Sequence, residues 1–120
     1  MRRKHRDLRV WQAAVELVET VYQITAAFPR DEAFSLTSQM RRAATSVAAN
    51  IAEGAARAGT KDLLRFLSIA SGSLSELDTH IEIAMRLGLI KDSTKLGAEI
   101  DQVFALLVGL SSSLKRKVKD

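Results

Sequence analysis

Apolar residues recur at spacings of three and four along most of this chain, and the alternation typical of strands is missing. Pro29 is the only proline, so few positions interrupt a helical backbone. The longest apolar run, residues 103–110, is far shorter than the roughly 20 residues that span a bilayer. The pattern predicts an all-α fold in a single domain over residues 1–120, with no membrane partner.

Four amphipathic segments predict four helices, at about residues 6–28, 36–57, 61–87 and 93–117. The connections between them are short, so consecutive helices should be antiparallel neighbours in an up-down four-helix bundle. In the fourth segment, apolar residues alternate at spacings of four and three from Leu96 to Leu114, which suits packing in a bundle.

A proline, a glycine and two N-cap residues define the predicted helix ends. Pro29 should end the first helix, because the residue before a proline is pushed out of the α region. Gly88 is the predicted stop of the third helix, since helices often end in a left-handed glycine. Ser35 and Thr60 are the predicted N-caps of the second and third helices.

The first segment is apolar over a wider arc than one core requires. Its two stripes cover about 200° of the helix, so one can serve the core while the other faces a second subunit. The stripes are Leu8, Trp11, Val15, Val18 and Tyr22, and Val10, Ala14, Leu17, Val21, Ile24 and Phe28. The predicted oligomer interface comprises Val10, Leu17, Val21, Ile24, Asn50 and Glu53.

Asn50 and Glu53 belong to a polar stripe on the second helix. The stripe consists of Gln39, Arg42, Ser46, Asn50, Glu53 and Arg57. One interpretation is a plain solvent-facing side of an amphipathic helix. The other is a hydrogen-bonded network at a subunit interface, in which Asn50 and Glu53 bond to a partner chain.

Two basic segments at the chain ends account for all of the excess positive charge. Residues 1–9 hold five basic residues and one acidic residue (+4), and residues 115–120 hold four and one (+3). The whole chain carries only +4, so the residues between these segments carry −3. Dense lysine and arginine favour contact with phosphates, and the alternative is a pair of solvated tails without a ligand.

We predict that nucleic acid contacts both basic ends and four further cations in and after the second helix. The set is Arg2, Arg3, Lys4, Arg6, Arg9, Arg41, Arg42, Arg57, Lys61, Lys115, Arg116, Lys117 and Lys119. Most of the few aromatic residues lie on core stripes, so few remain for base stacking. Binding should therefore be directed at the phosphate backbone of RNA or DNA.

No motif in the chain supports an enzyme, a metal or a cofactor. Residues 54–61 nearly spell a P-loop, but the lysine and hydroxyl are in reversed order and no strand precedes them, so we predict a glycine-bounded turn between helices. A di-iron site needs Glu-x-x-His pairs, and Leu77 stands three residues before His80. Glu76 and His80 are interpreted as a solvated pair. Cysteine is absent, and no base is placed to activate a serine.

Several segments resemble a known family. They are residues 6–8 with Trp11, residues 36–44 (LTSQMRRAA), residues 50–54 (NIAEG), and residues 66–67 and 72–77 of the third helix. Together they are similar to the four-helix-bundle proteins encoded in intervening sequences of bacterial 23S ribosomal RNA genes. The likeness covers nearly the whole chain. The chain departs from the family pattern at His5, Ser35, Ala48 and Ala55, where aromatic, glycine, proline and aromatic residues are common.

The resemblance implies an up-down bundle that assembles into a ring-shaped homopentamer. A related group, the accessory proteins of diversity-generating retroelements, forms similar rings that bind nucleic acid and a reverse transcriptase. By this likeness the fold is expected to be one unit of a ring. The absence of proline at Ala48 is expected to leave the second helix straighter.

These observations lead to the hypothesis of a non-catalytic, ring-forming bundle that binds RNA or DNA through phosphate contacts. The rival hypothesis is a scaffold that docks a partner protein through its apolar surface, with the basic ends incidental. The basic start lacks the apolar stretch of a signal peptide and the chain has no cysteine, so a cytoplasmic location is expected.

Overall fold

The computed structural model describes residues 3–118 and the backbone of Lys119. Its long helices are α1 (Arg9–Thr25), α2 (Leu36–Ala55), α3 (Thr60–Arg86) and α4 (Thr94–Lys119). Short 3-10 helices precede α1 at Lys4–Asp7 and α2 at Arg30–Glu32. No strand occurs within the described residues, so the predicted all-α class with four helices is confirmed.

Helices that follow one another along the chain run antiparallel. Arg41 near the start of α2 donates a hydrogen bond from Nε to Oγ1 of Thr25 at the end of α1, at 2.9 Å. Gly54 near the end of α2 lies against Phe66 in the second turn of α3. Contacts between the end of one helix and the start of the next fit the predicted up-down order.

α4 closes the arrangement by packing against both α3 and α1. Leu64 of α3 and Lys115 of α4 line the same surface cavity, which places the end of α4 beside the start of α3. The Thr20 hydroxyl donates to Oε1 of Glu99 at 2.7 Å, which places the start of α4 beside the second half of α1. Since four antiparallel helices return the chain to its starting end, residues 3–9 and 115–119 lie at the same end.

The core is built from the predicted apolar stripes. Leu17, Met40, Leu74 and Leu96 are fully buried, one from each helix. In α4 the seam is buried through Leu107, whereas Leu110 and Leu114 are half-buried. The register set by Thr20 and Glu99 puts the start of α1 level with residue 110, so the last turns of α4 extend past α1.

α1 is shorter at both ends than the predicted range of 6–28. Leu8 has extended backbone angles (φ −79°, ψ 122°), which separate the 3-10 helix Lys4–Asp7 from α1. At the other end, Oγ1 of Thr25 donates to the carbonyl oxygen of Val21 at 2.7 Å. The chain leaves the helix after Thr25, three residues earlier than expected from Pro29.

The other helix boundaries agree with the prediction to within two residues, but two of the predicted caps do not form. Ser35 stands at the N-cap of α2 without a side-chain hydrogen bond, and Gly59 is the N-cap of α3 in place of Thr60. At α4, Oδ1 of Asp92 accepts the backbone N–H of Thr94 at 3.0 Å. Hydrogen bonds from Thr94 hold the pKa of Asp92 below its ordinary value.

Gly88 ends α3 as predicted. Its φ of +77° lies in the left-handed region, and the backbone N–H of Leu89 bonds back to the carbonyl oxygen of Ala84 at 2.8 Å. α2 runs without interruption through Ala48, and its straightness stays a prediction.

α2 and α3 form the most extensive helix pair because small residues let their backbones approach. The hydroxyls of Ser46 and Ser73 lie 2.9 Å apart across this seam. Near the end of α2, a Cβ atom placed on Gly54 would lie only 2.7 Å from Cβ of Phe66. Only glycine fits this position without a shift of one helix against the other.

Candidate nucleic-acid interface

Both basic segments lie at one end of the bundle. The 3-10 helix Lys4–Asp7 packs on α1 and α2 there, and the last turns of α4 lie beside the start of α3. The turn between α2 and α3 adds further cations. We call this group the basic end, and it consists of Arg3, Lys4, Arg6, Arg9, Arg57, Lys61, Arg65, Lys115, Arg116 and Lys117, all of them exposed.

Charge is separated between the basic end and the remainder of the molecule. The ten cations of the basic end are accompanied by three carboxylates, those of Asp7, Glu53 and Asp62, which gives this end a net charge of +7. The other described residues include six basic and ten acidic ones and carry −4. The bundle is 50 Å long, so the basic end presents a local positive field that the chain's net charge of +4 conceals.

Trp11 anchors the N-terminal part of the basic end. The ring centroids of His5 and Trp11 lie 4.8 Å apart, and the guanidinium carbon of Arg6 lies 5.4 Å from the Trp11 centroid. The side chain of Gln12 donates to the carbonyl oxygen of Arg6 at 2.8 Å. These contacts hold the 3-10 helix, and the cations it carries, against α1.

Phe66 anchors the second part of the basic end. The guanidinium carbons of Arg57 and Arg65 lie 5.0 and 4.8 Å from its ring centroid. Arg57 pairs with Glu53 at 3.5 Å and Arg65 with Asp62 at 3.9 Å. All four side chains of these pairs are about half exposed or more. Exposed pairs of this kind contribute little free energy, so a phosphate can compete for both arginines.

The structure brings together most, but not all, of the cations predicted to bind nucleic acid. Arg65, which the predicted set does not include, joins the group because it shares the ring of Phe66. Arg41 and Arg42 lie apart, about 24 Å along α2 from Arg57 at 1.5 Å per residue. Arg2 and the side chain of Lys119 lie outside the described residues.

The predicted oligomer interface is wrong for three of its six residues. Val10, Leu17 and Val21 are 3%, 0% and 0% exposed within the single chain. Side chains with almost no accessible surface cannot contact another subunit. They serve the core because α1 turns this stripe inward.

Three residues of the predicted interface keep accessible surface. Ile24 and Asn50 are half-buried and Glu53 is exposed. The side chain of Asn50 donates to the carbonyl oxygen of Ser46 at 2.8 Å, and Glu53 pairs with Arg57. Both polar groups therefore have partners within their own chain, although contact with a second chain stays a prediction.

The near-match to a P-loop is a turn between two helices. Residues 56–59 connect the helices, and Gly59, the N-cap of α3, bounds this turn as predicted. Gly54 does not bound it, because it lies inside α2 against Phe66. Nε2 of His80 lies 3.2 Å from Oε2 of Glu76 on α3. Within the described part of the chain, no group of three metal-ligating side chains is placed to hold an ion. None of the helices described there is long and apolar enough to cross a membrane.

Comparison with known proteins identifies the family. The search of curated proteins finds no match. A family model does match, over residues 6–109, which include α1, α2, α3 and most of α4. The match ends before Lys115, so the C-terminal part of the basic end lies beyond it. By this match over most of its length, the chain belongs to the family of 23S rRNA-intervening sequence proteins.

Proposed function

We propose that this protein is a non-catalytic, cytoplasmic, ring-forming bundle whose basic end binds RNA or DNA through phosphate contacts. The observation that carries the proposal is the convergence of two chain ends and one turn on a single surface of charge +7. Binding to a phosphate backbone requires many exposed cations and little special geometry. The cations of the basic end meet that requirement.

Nucleic acid is expected to co-purify with the native protein at low salt and to be released by salt. A protein that contacts about six to ten phosphates loses about three to five orders of magnitude in affinity when the salt concentration rises from 50 to 200 mM. The measurement is the nucleic-acid content of the assembly isolated at each salt concentration, followed by sequencing of the bound strands. Protein free of nucleic acid at low salt, or binding that ignores salt, would contradict the proposal.

The assembly is proposed to be a homo-oligomer, as the resemblance to ring-forming proteins implies. A cyclic ring would repeat the basic end around one axis and multiply its field. Native mass spectrometry should show multiples of the 13.2 kDa chain, with five copies as the expected number. A spectrum of monomer alone at micromolar concentration would contradict this part of the proposal.

The rival function is a scaffold that docks a partner protein. The observation that favours it is exposed apolar surface on α3, where Ile69 and Ile83 are 42% and 41% exposed. Treating the isolated assembly with nuclease separates the two functions. A protein partner that stays bound after nuclease treatment favours the scaffold, and a partner lost with the nucleic acid favours binding through RNA or DNA.

A further inference from the structure

Two of the chain's aromatic side chains are exposed, and they lie on the same surface. Phe34, in the turn before α2, is 100% exposed, and Tyr22 on α1 is 42% exposed. By contrast, Phe28 and Phe66 are 9% and 6% exposed. An exposed phenylalanine forgoes the stabilisation of burial, so its ring is available for a ligand. The sequence predicts few such rings, because most aromatic residues lie on the predicted core stripes.

Phe34 and Tyr22 line one surface cavity of about 370 Å³ together with Arg41 and Arg42. Thr37 and Ser38 also line this cavity. Asp31 and Glu32 precede Phe34 in the chain but do not line the cavity. We call the six lining residues named here the stacking site. Its volume falls in the range of small-molecule pockets.

Arg41 is fixed within the stacking site. Its guanidinium carbon lies 4.4 Å from the centroid of the Tyr22 ring. Its Nε donates to Oγ1 of Thr25 at 2.9 Å and a terminal nitrogen donates to the carbonyl oxygen of Tyr22 at 3.4 Å. One wall of the cavity is therefore a positioned cation on an aromatic ring.

Arg42 supplies a second, exposed cation next to this wall. Among the described residues, no carboxylate lies within ion-pair distance of Arg41 or Arg42. The cavity thus combines an exposed aromatic ring with two positive charges that no acidic side chain in the described part of the chain neutralises. A flat, anionic ligand is complementary to this combination, and a nucleotide has both properties.

We propose that the stacking site binds an unpaired nucleotide of an RNA or DNA strand, with its base stacked on Phe34 and its phosphate contacted by Arg42. This inference rests on the proposed function and extends it, because it adds a base contact to phosphate contacts at the basic end. The two surfaces lie about 24 Å apart along α2, so one strand can reach both. The site selects single strands, since bases within a duplex are not available for stacking on a side chain.

The test compares strands with and without bases. A labelled adenylate strand of about twelve nucleotides, within the site sizes of single-strand binders, is titrated beside an abasic strand with the same phosphates. The unmodified protein should prefer the strand with bases. Phe34→Ala should weaken binding of the adenylate strand by about 5- to 100-fold and leave the affinities for the abasic strand and for duplex RNA unchanged. Phe34→Trp, which keeps a ring, should retain the preference.

Val108→Ala is the matched control, because Val108 is an apolar side chain on α4 that is 63% exposed and lies outside the stacking site. It should change none of these affinities. Equal binding of the two strands, or an unchanged affinity in Phe34→Ala, would overturn the proposal. A change of oligomer mass in Phe34→Ala with unaltered strand preference would also overturn it and assign Phe34 to a contact between chains.

A second measurement separates this proposal from the proposed function. Adenosine monophosphate, titrated into the protein and followed by NMR, should shift the signals of Phe34 and Tyr22 and not those of Trp11. If these signals shift while no strand binds, the cavity takes a free nucleotide only, and the proposed function and its extension to strand binding both fail. If strands bind in a salt-dependent manner and these signals stay unchanged, the proposed function stands and the stacking site is contradicted.

Discussion

Replacing Lys115, Arg116 and Lys117 with alanine should weaken the binding of structured RNA by about two to three orders of magnitude near 0.1 M salt. For each phosphate contact, the logarithm of the binding constant changes by about 0.7 to 0.9 per tenfold change in salt. Loss of three contacts should therefore also make the salt dependence shallower by about two to three in slope. Fluorescence anisotropy over a salt series measures both quantities.

The matched control removes three cations from the opposite end of the bundle. Arg30, Lys91 and Lys95 lie in or beside the turns at that end and are exposed, as are Lys115, Arg116 and Lys117. Substituting them with alanine changes the net charge by the same amount. The control should bind RNA with nearly the wild-type salt slope. Equal losses in the two triple variants would mean that net charge, and not the basic end, governs binding.

Gly54→Ala should destabilise the fold by about 1–2 kcal/mol, although alanine is the better helix former. The added Cβ would meet Cβ of Phe66 at 2.7 Å and Cδ1 of Leu63 at 3.1 Å. The Cβ of Phe66 is attached directly to the backbone of α3, so relief requires one helix to move. Overpacking of this kind costs about 1–3 kcal/mol, and the gain in helix propensity offsets part of it.

Gly72→Ala is the control, because Gly72 lies in the middle of α3 and a Cβ there meets nothing within 4 Å. It should stabilise the protein by about 0.5–1 kcal/mol, the usual gain for replacing a glycine inside a helix. Urea denaturation of both variants at one protein concentration measures the difference. A Gly54→Ala variant as stable as Gly72→Ala would contradict the close approach of α2 and α3.

Phe66 links the packing of α2 on α3 to the basic end. Its Cβ lies against Gly54, and the guanidinium groups of Arg57 and Arg65 lie over its ring. A shift of α3 in Gly54→Ala would move the Phe66 ring and Arg65 relative to Arg57, which pairs with Glu53 of α2. The same glycine that sets the helix spacing therefore also positions two cations of the proposed interface.

Periodicity was enough to predict the four helices and the core, because each helix buries one apolar stripe. The α4 seam from Leu96 to Leu107 illustrates this, since its side chains are buried as predicted. That the two basic segments of the chain lie at the same end of the bundle also follows from the sequence. An even number of antiparallel helices returns the chain to the end of the bundle at which it began. This topology alone therefore places the cations of the two basic segments at one end of the bundle.

Features that depend on the local conformation of single residues do not follow from the sequence pattern. Because Leu8 has an extended backbone, α1 begins at Arg9 and not at the predicted residue 6. The spacing of apolar residues does not indicate such an interruption. The interface prediction is wrong for Val10, Leu17 and Val21 because the two adjacent apolar stripes of α1 are equivalent in the sequence, and only the positions of the neighbouring helices distinguish them. The exposure of Phe34 likewise depends on the conformation of the turn before α2. The sequence of a turn does not show whether an apolar residue in it is buried or exposed.

Lysine reactivity in the unmodified protein, with and without bound RNA, tests the central claim most directly. Acetylation by a soluble reagent, quantified by mass spectrometry, reports each lysine of the assembly separately. If the basic end binds the phosphate backbone, RNA should protect Lys4, Lys61, Lys115 and Lys117 and leave Lys91 and Lys95 as reactive as before. Protection of Lys91 and Lys95 with unchanged reactivity at the basic end would contradict the claim.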